Sequence, residues 1–211
     1  LEANGYFQFK IKKKGIDDWT IDLPEDILHS KKLFVQYTGD VNEDEREVLR
    51  NIYNGTWDTL PKGLVNELKS IHSNNYYGEI IKIFMITSSG AEGINLKNTR
   101  FVHIIEPYWH PVRTEQVIGR ARRICSHQAL EDEFKTVEVF MYLMTFTNEQ
   151  LEGNPKGETQ EEKNPRVSVE LKLKDKSKLE SKEAVNQYGS TTITTDEALF
   201  EISNIKKNIT A

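Results

Sequence analysis

The sequence predicts an α/β fold, in which a parallel sheet is flanked by helices, from three observations. Short apolar segments of strand length alternate with amphipathic helical segments, the order that produces parallel sheets. The apolar run at residues 80–86 breaks abruptly into hydroxyl and glycine residues at 87–93. A second strand at 101–106 leads through an aromatic and proline turn into a helix rich in arginine. Since open α/β sheets bind ligands at the carboxyl ends of their strands, we expect the functional site there.

The segments before residue 80 each carry a start or stop signal. Gly5 is expected to cap the tail of a helix, which implies chain before Leu1, and Pro24 is expected to open a short helix. A strand is expected at 32–37, followed by a helix that Asn42 and Glu45 start with a capping-box pattern. That helix would bury Val48, Leu49, Ile52 and Tyr53 and end at Asn54 and Gly55, and a second would bury Leu60, Leu64, Val65, Leu68 and Ile71 before a turn at 74–78.

The last third of the chain divides into a strand, a charged segment and a helix. Residues 137–147 are apolar on both faces, so this strand is expected to be central or covered on both sides, with Met85, Met141 and Met144 in the core. Residues 148–193 are charged and polar, which predicts a hairpin or a partly disordered insertion. Thr194, Thr195 and Asp196 are expected to cap a terminal helix at 194–211. Residues 1–147 would then form one lobe whose N-terminal strand is missing.

Charge and cysteine usage exclude several classes of protein. The net charge of −5 is not that of a polybasic nucleic-acid-binding protein, and positive charge is concentrated at 111–127, where four arginines face Glu115 alone. The single cysteine, Cys125, excludes an internal disulfide, is typical of a reducing intracellular compartment, and is expected to be a buried thiol in the arginine-rich helix. Neither a membrane span nor a metal site is expected.

The arginine-rich segment QVIGRARR at 116–123 has the spacing of a phosphate site. On a helix, Gln116, Gly119, Arg120 and Arg123 would share one face, while Arg122 points elsewhere. Glycine inside a helix costs about 1 kcal/mol relative to alanine, so Gly119 is expected to make room for a ligand or another backbone. Two guanidinium groups beside such a glycine suit phosphate oxygens.

These segments together resemble a known family. SSGAEGINL resembles motif V of the superfamily 2 helicases, FVHIIEPYWHP the strand and aromatic turn that follow it, and QVIGRARRI motif VI. The pattern is most similar to Swi/Snf-type DNA translocases and, within them, to helicase-like proteins of large eukaryotic DNA viruses, relatives of the poxvirus early transcription factor. Gly39 and Arg46 match a further block of the same lobe. The resemblance implies a RecA-like second lobe, and a viral factory or virion as the location if the source is viral.

The resemblance implies the second motor lobe of an ATP-dependent DNA helicase or translocase. The sequence has no GxxxxGKS or GxxxxGKT loop, so ATP and Mg²⁺ would be held mainly by a first lobe of the same polypeptide, and this chain alone is expected to be inactive. Arg120 and Arg123 would be catalytic, with Arg123 as the arginine finger. Gln116, Gly119, Gly93 and Glu92 would bind ATP, and Thr87, Ser88, Ser89, Gly90, Asn95 and Trp109 would contact nucleic acid, expected to be double-stranded DNA.

Several alternatives stay open at this point. The chain could be a non-catalytic RecA-like module for interaction or nucleic-acid binding, although retained arginines argue against that. Gly90 and Gly93 could serve only a tight turn. Trp109 could be a packing wedge between two prolines, which is the commoner role of such an aromatic. Glu92 departs from the small or apolar residue that is common in the family, and a carboxylate beside phosphate is unfavourable.

Overall fold

The computed structural model describes residues 1–15, 18–30, 32–87, 93–145 and 194–210. They form two compact units. The first joins Leu1–Val102 to Glu115–Val139, and the second joins His103–Thr114 to Phe140–Ala211. The insertion predicted at 148–193 lies outside the described residues.

The first unit is built on a parallel sheet, as the alternation of strands and helices predicts. Five strands of the described structure lie wholly within it: β1 (Phe7–Gln8), β2 (Ile11–Lys13), β3 (Trp19–Ile21), β4 (Leu33–Tyr37) and β5 (Ile81–Ile86). β1, β4 and β5 form a three-stranded sheet in that order, with both pairs parallel. β2 and β3 pair separately as an antiparallel hairpin. The central strand β4 is buried at four of its five residues.

Three helices of this unit follow the sequence signals closely. They are α1 (Glu25–Leu28), directly after Pro24, α2 (Glu43–Tyr53) and α3 (Lys62–Ile71). The side chain of Asn42 caps α2 as predicted, although its Oδ1 accepts a hydrogen bond from the amide of Asp44 at 2.9 Å. In a capping box the side chain of Asn42 would instead accept from the next amide along the chain, that of Glu45. Gly55 follows the end of α2 with a φ of 68°, a conformation that glycine adopts without strain.

The apolar faces of α2 and α3 supply the core. Leu64 and Leu68 of α3 are fully buried, and so is Ile52 of α2. They share one hydrophobic cluster with Leu33 and Ile81, the first residues of the two paired parallel strands. The periodicity of both helices therefore predicts correctly which side chains face the sheet.

A second, smaller cluster lies at the carboxyl end of the sheet. Tyr37, the last residue of β4, is buried together with Ile94 and Leu96 from the segment after β5. The ring of Phe84 packs on Tyr37 with centroids 5.3 Å apart. The segment at 94–96 is thus held over the strand ends where ligands bind in open α/β sheets.

The remaining strands are β6 (Phe101–Ile104) and β7 (Glu138–Met141). The two strands pair in a sheet of their own, and further backbone bonds lie at its ends: the amide of Glu138 donates to the carbonyl of Arg100 at 2.8 Å, and that of Tyr142 donates to the carbonyl of Ile104 at 2.9 Å. The paired positions rise together along both strands, as in parallel pairing.

The prediction of a strand at 137–147 that is covered on both sides is wrong. The strand has four residues, and Phe140 and Tyr142 remain exposed. The methionine core is wrong as well, because Met144 is 63% exposed and Met85 is 41% exposed. An apolar pattern indicates which side chains favour burial, but the cover must come from elements elsewhere in the chain.

The last two helices are α4 (Pro111–Ala121), which begins in the second unit and ends in the first, and α5 (Thr195–Thr210). Thr194 caps α5 as predicted: its Oγ1 accepts from the amide of Glu197 at 3.2 Å, and the Glu197 carboxylate accepts from the amide of Thr194 at 2.8 Å. Asp196 accepts from the amide of Met144 at 2.9 Å, which ties the start of α5 to the chain after β7. No helix in the described part of the chain is both long enough and apolar enough to cross a membrane.

Candidate functional site

Arg120, near the end of α4, is anchored to the segment that follows β5. Its Nη1 donates to the carbonyl of Ile94 at 3.2 Å, and Ile94 itself is buried against Tyr37. The Nε atom of Arg120 is buried and has no hydrogen-bond partner among the described residues. A buried donor without a partner costs about 1–3 kcal/mol, so the fold places the Arg120 guanidinium here at a cost in stability.

Arg123 lies beyond the helix that was expected to carry it. α4 ends at Ala121, so the prediction that Gln116, Gly119, Arg120 and Arg123 share a helical face fails for Arg123. Arg123 is exposed in the loop that follows. The ion pairs found within the described ranges involve neither Arg120 nor Arg123.

Gln116 and Gly119 lie on an exposed part of α4. A Cβ atom added at Gly119 would meet no described heavy atom within 4 Å. No described residue therefore comes close enough to Gly119 to require glycine there. The space beside Gly119 is open to another molecule.

Gly93 is exposed, with a φ of 74°. A Cβ there would also meet nothing within 4 Å of the described structure. The left-handed backbone conformation alone accounts for glycine at this position, because other residues adopt it only with strain.

The segment at 94–97 is positioned by a residue that the sequence indicated only as a helix end. Asn54, buried after α2, donates from Nδ2 to the carbonyl of Asn95 at 2.9 Å and accepts from the amide of Lys97 at 2.8 Å. The Oδ1 atom of Asn95 is buried and has no hydrogen-bond partner in the described ranges. Asn95 therefore presents a second unsatisfied polar atom close in sequence to the carbonyl that holds Arg120.

The turn between β5 and this segment is described only at its edges. Thr87 is exposed directly after β5, and its amide donates to the carbonyl of Tyr37 at 3.5 Å. Ser88, Ser89, Gly90 and Glu92 lie outside the described residues.

Arg46, on α2, places its guanidinium 5.6 Å from the centroid of the Tyr37 ring, and its Nε is buried without a described partner.

Trp109 belongs to the second unit, and it does not behave as a buried wedge. It is 54% exposed, and the ammonium group of Lys206 on α5 lies 3.6 Å from the ring centroid. The ring of His110 meets it edge-on, with centroids 5.6 Å apart. The packing interpretation of Trp109 is therefore wrong, and its use in nucleic-acid binding stays a prediction.

Cys125 is neither buried nor helical, so the prediction for the thiol is wrong. It is exposed in the loop after α4, with a φ of 65°. This loop is held by contacts that the sequence did not reveal. The amide of Asn98 donates to the carbonyl of Ser126 at 2.9 Å, and the ring of His127 lies 2.8 Å from the carbonyl of Thr99. Pairings between positions 28 residues apart leave no periodic signal in a sequence.

Comparison with known proteins identifies relatives that include proteins of two viruses and of a yeast killer plasmid. The chain is 34% identical over 166 residues to a protein of African swine fever virus named "Termination factor NPH-I homolog", a match that covers 75% of this chain and 21% of the relative. It is 40% identical over 94 residues to a putative ATP-dependent RNA helicase of Acanthamoeba polyphaga mimivirus, which covers 44% of this chain and 16% of that protein. A killer-plasmid helicase of Kluyveromyces lactis is 37% identical over 43% of this chain and 15% of its own length.

The chain thus spans about a fifth of the length of the African swine fever virus relatives. The family model described as the helicase conserved C-terminal domain matches residues 17–125. That range covers the paired parallel strands β4 and β5, the segment at 94–97 and all of α4. The chain belongs to the helicase conserved C-terminal domain family.

Proposed function

We propose that this chain is the second motor lobe of an ATP-dependent helicase or translocase, and that Arg120 and Arg123 act on ATP held mainly by a first lobe of the same polypeptide. One observation carries the proposal. Two arginines of a single motif, one anchored to a backbone carbonyl and one exposed, have no acidic partner among the described residues. Surface arginines that serve stability alone commonly pair with carboxylates.

The two arginines have different roles in this proposal. Arg120 is held by the carbonyl of Ile94, so its guanidinium is positioned before ATP arrives to bond phosphate oxygens. Arg123 is exposed and enters the first lobe's site when the lobes close. There it stabilises the charge that develops on the transferring γ-phosphoryl group. Gln116, on the exposed part of α4, orients the nucleotide or the attacking water.

The first lobe supplies what this sequence lacks. No glycine in the chain precedes a lysine, so the phosphate-binding loop of nucleotide hydrolases is absent from it. Magnesium, with the carboxylate that holds it, belongs to the first lobe as well. This chain alone therefore shows no ATP hydrolysis above background, and robust magnesium-dependent turnover by the chain alone would contradict the half-site model.

Nucleic acid is held through its backbone by the turn at 87–93 together with Asn95. Backbone contacts carry no sequence information, which suits a motor that moves along any sequence. The proposed substrate is double-stranded DNA. RNA is the competing substrate, because several mimivirus relatives are named as putative RNA helicases. Stimulation of ATP hydrolysis by each nucleic acid distinguishes the two.

The test is the substitution Arg123→Ala in the polypeptide that contains both lobes, with Arg122→Ala as the matched control. Arg122 is also exposed and precedes Arg123 directly. Loss of an arginine finger lowers turnover by about 10³ to 10⁵, roughly 4–7 kcal/mol of barrier, whereas the control stays within a few fold of wild type. Equal turnover in the two variants would contradict the finger role and favour a non-catalytic module.

A further inference from the structure

Ser126 and His127 hold the loop that carries Arg123 through a closed set of hydrogen bonds. The hydroxyl of Ser126 lies 3.0 Å from the carbonyl of Ala121, the last residue of α4. The same hydroxyl lies 2.7 Å from Nδ1 of His127, and Nε2 of that ring lies 2.8 Å from the carbonyl of Thr99. The amide of Ser126 donates to the carbonyl of Arg123 at 3.0 Å, which fixes the backbone of the proposed finger directly.

The number of available protons limits which of these hydrogen bonds can form together. A carbonyl oxygen only accepts, so the Ser126 hydroxyl donates its single proton to Ala121 and Nε2–H of His127 donates to Thr99. The 2.7 Å contact between the hydroxyl and Nδ1 then needs a proton on Nδ1. All three bonds form together only when both ring nitrogens carry protons. A neutral imidazole loses one of the three.

We propose that Ser126 and His127 are positioning residues that clamp the Arg123 loop, and that the clamp is complete only when the imidazole is protonated. The clamp fastens the loop at two points: the end of α4 through Ala121, and the segment at 98–99 through Asn98 and Thr99. The positioning role rests on the proposed function of Arg123, whereas the clamp itself does not.

Several charged and titratable groups lie on the elements around the ring. Arg100 follows Thr99 directly, and Arg123 lies on the loop itself. Tyr53 of α2 hydrogen-bonds to Thr99, and Cys125 precedes Ser126.

Nuclear magnetic resonance on the 211-residue chain tests the clamp without ATP hydrolysis. Ring ¹⁵N signals of His127 are followed between about pH 5 and pH 8, the range in which histidine titrates. Hydrogen exchange of the Asn98 and Ser126 amides is measured in parallel and corrected for its intrinsic pH dependence. We expect protection of both amides to be roughly 10- to 100-fold higher in the protonated form, the ratio for a hydrogen bond to a charged group.

Two variants separate the clamp from general folding. Ser126→Ala removes the hydroxyl, and His127→Gln keeps a neutral donor toward Thr99; in both, the protection of Asn98 should lose its pH dependence. The amide of Ile81, which donates to Asn75 and takes no part in the clamp, serves as the internal control and should not respond. Either of two results would overturn the clamp. The first is amide protection in the wild type that does not change as His127 titrates. The second is a titration curve of His127 in Ser126→Ala that is the same as in the wild type.

The polypeptide with both lobes then tests the positioning role. Turnover of the wild type should fall as His127 loses its proton, and His127→Gln should flatten that profile. Hydrolysis lost in Arg123→Ala without any pH response at the two amides would overturn the clamp and leave the motor function in place. A responsive clamp with hydrolysis unaffected by Arg123→Ala would overturn the motor function, and the positioning role with it.

Discussion

At the scale of single residues, one buried amide connects two elements of the core. Asn75 is 2% exposed and makes four hydrogen bonds to the backbone. Its Nδ2 donates to the carbonyls of Tyr53 and Ile81, and its Oδ1 accepts from the amides of Ile80 and Ile81 at 2.9 and 2.8 Å. The sequence indicated only a turn at 74–78. Asn75 in fact joins the end of α2 to the start of β5.

Asn75→Ala should lower the free energy of unfolding by roughly 3 kcal/mol or more, because several buried backbone groups lose their partner at once. Urea denaturation measures the change. Asn74→Ala is the control: in the described structure its side chain accepts from the amide of Tyr76 at 3.1 Å and donates to the exposed hydroxyl of Ser73 at 3.3 Å, so about 1 kcal/mol is expected. Similar losses in the two variants would show that the buried amide has no special role.

The burial of Tyr53 predicts how the stability of the fold depends on pH. Burial raises the pKa of Tyr53 above its ordinary value of 10.0, against smaller opposing effects of the hydrogen bond with Thr99 and the positive charge of Arg100. A raised pKa in the folded state adds stability that is fully present below the ordinary value. This stability is lost as the pH rises through the folded-state pKa.

The stability difference between wild type and Tyr53→Phe should therefore shrink as the pH rises from about 9 to about 11, across the ordinary titration range of tyrosine. Denaturation at a series of pH values measures it, and subtraction removes the contribution of the other tyrosines and the lysines. A difference that stays constant over this range would mean that Tyr53 titrates alike in the folded and unfolded chain.

At the scale of elements, α4 combines a local weakness with an open surface. Gly119 lies in a helix, where glycine is unfavourable, and no described atom would contact a Cβ there. Stability alone therefore favours alanine at this position. The glycine is explained if ATP or the first lobe must approach the helix closely.

Gly119→Ala should accordingly raise the free energy of unfolding of this chain by up to about 1 kcal/mol, while it lowers ATP turnover in the polypeptide with both lobes. Thermal denaturation measures the first effect and steady-state hydrolysis the second. Full activity in a stabilised variant would remove Gly119 from the proposed nucleotide site.

Local sequence patterns predict some of these elements correctly and others not. The buried faces of α2 and α3 and the strands β4 and β5 follow from local periodicity, because each residue's environment repeats along its own element. The end of α4 does not follow from local periodicity. Its last carbonyl accepts a hydrogen bond from Ser126, and the loop that follows is held by Asn98 and Thr99, which lie 28 residues before their partners Ser126 and His127.

At the scale of the whole molecule, family resemblance and physical pattern differ in what they predict. The motifs at 87–127 predicted the family and the parallel sheet, both of which are confirmed. They did not predict the exposure of Cys125, Met144 or Phe140, because burial depends on which other elements cover a surface. The site residues at 88–92 lie outside the described structure, and their roles stay predictions.

The central claim is that Arg123 stabilises the transition state of phosphoryl transfer more than it stabilises bound ATP. The most direct measurement compares the affinities of the polypeptide with both lobes for ATP and for ADP with aluminium fluoride, a mimic of the transferring phosphoryl group, in wild type and Arg123→Ala. The variant should bind ATP within a few fold of wild type but lose about 10³-fold or more in affinity for the mimic. Equal losses for both ligands, or no loss for either, would contradict it.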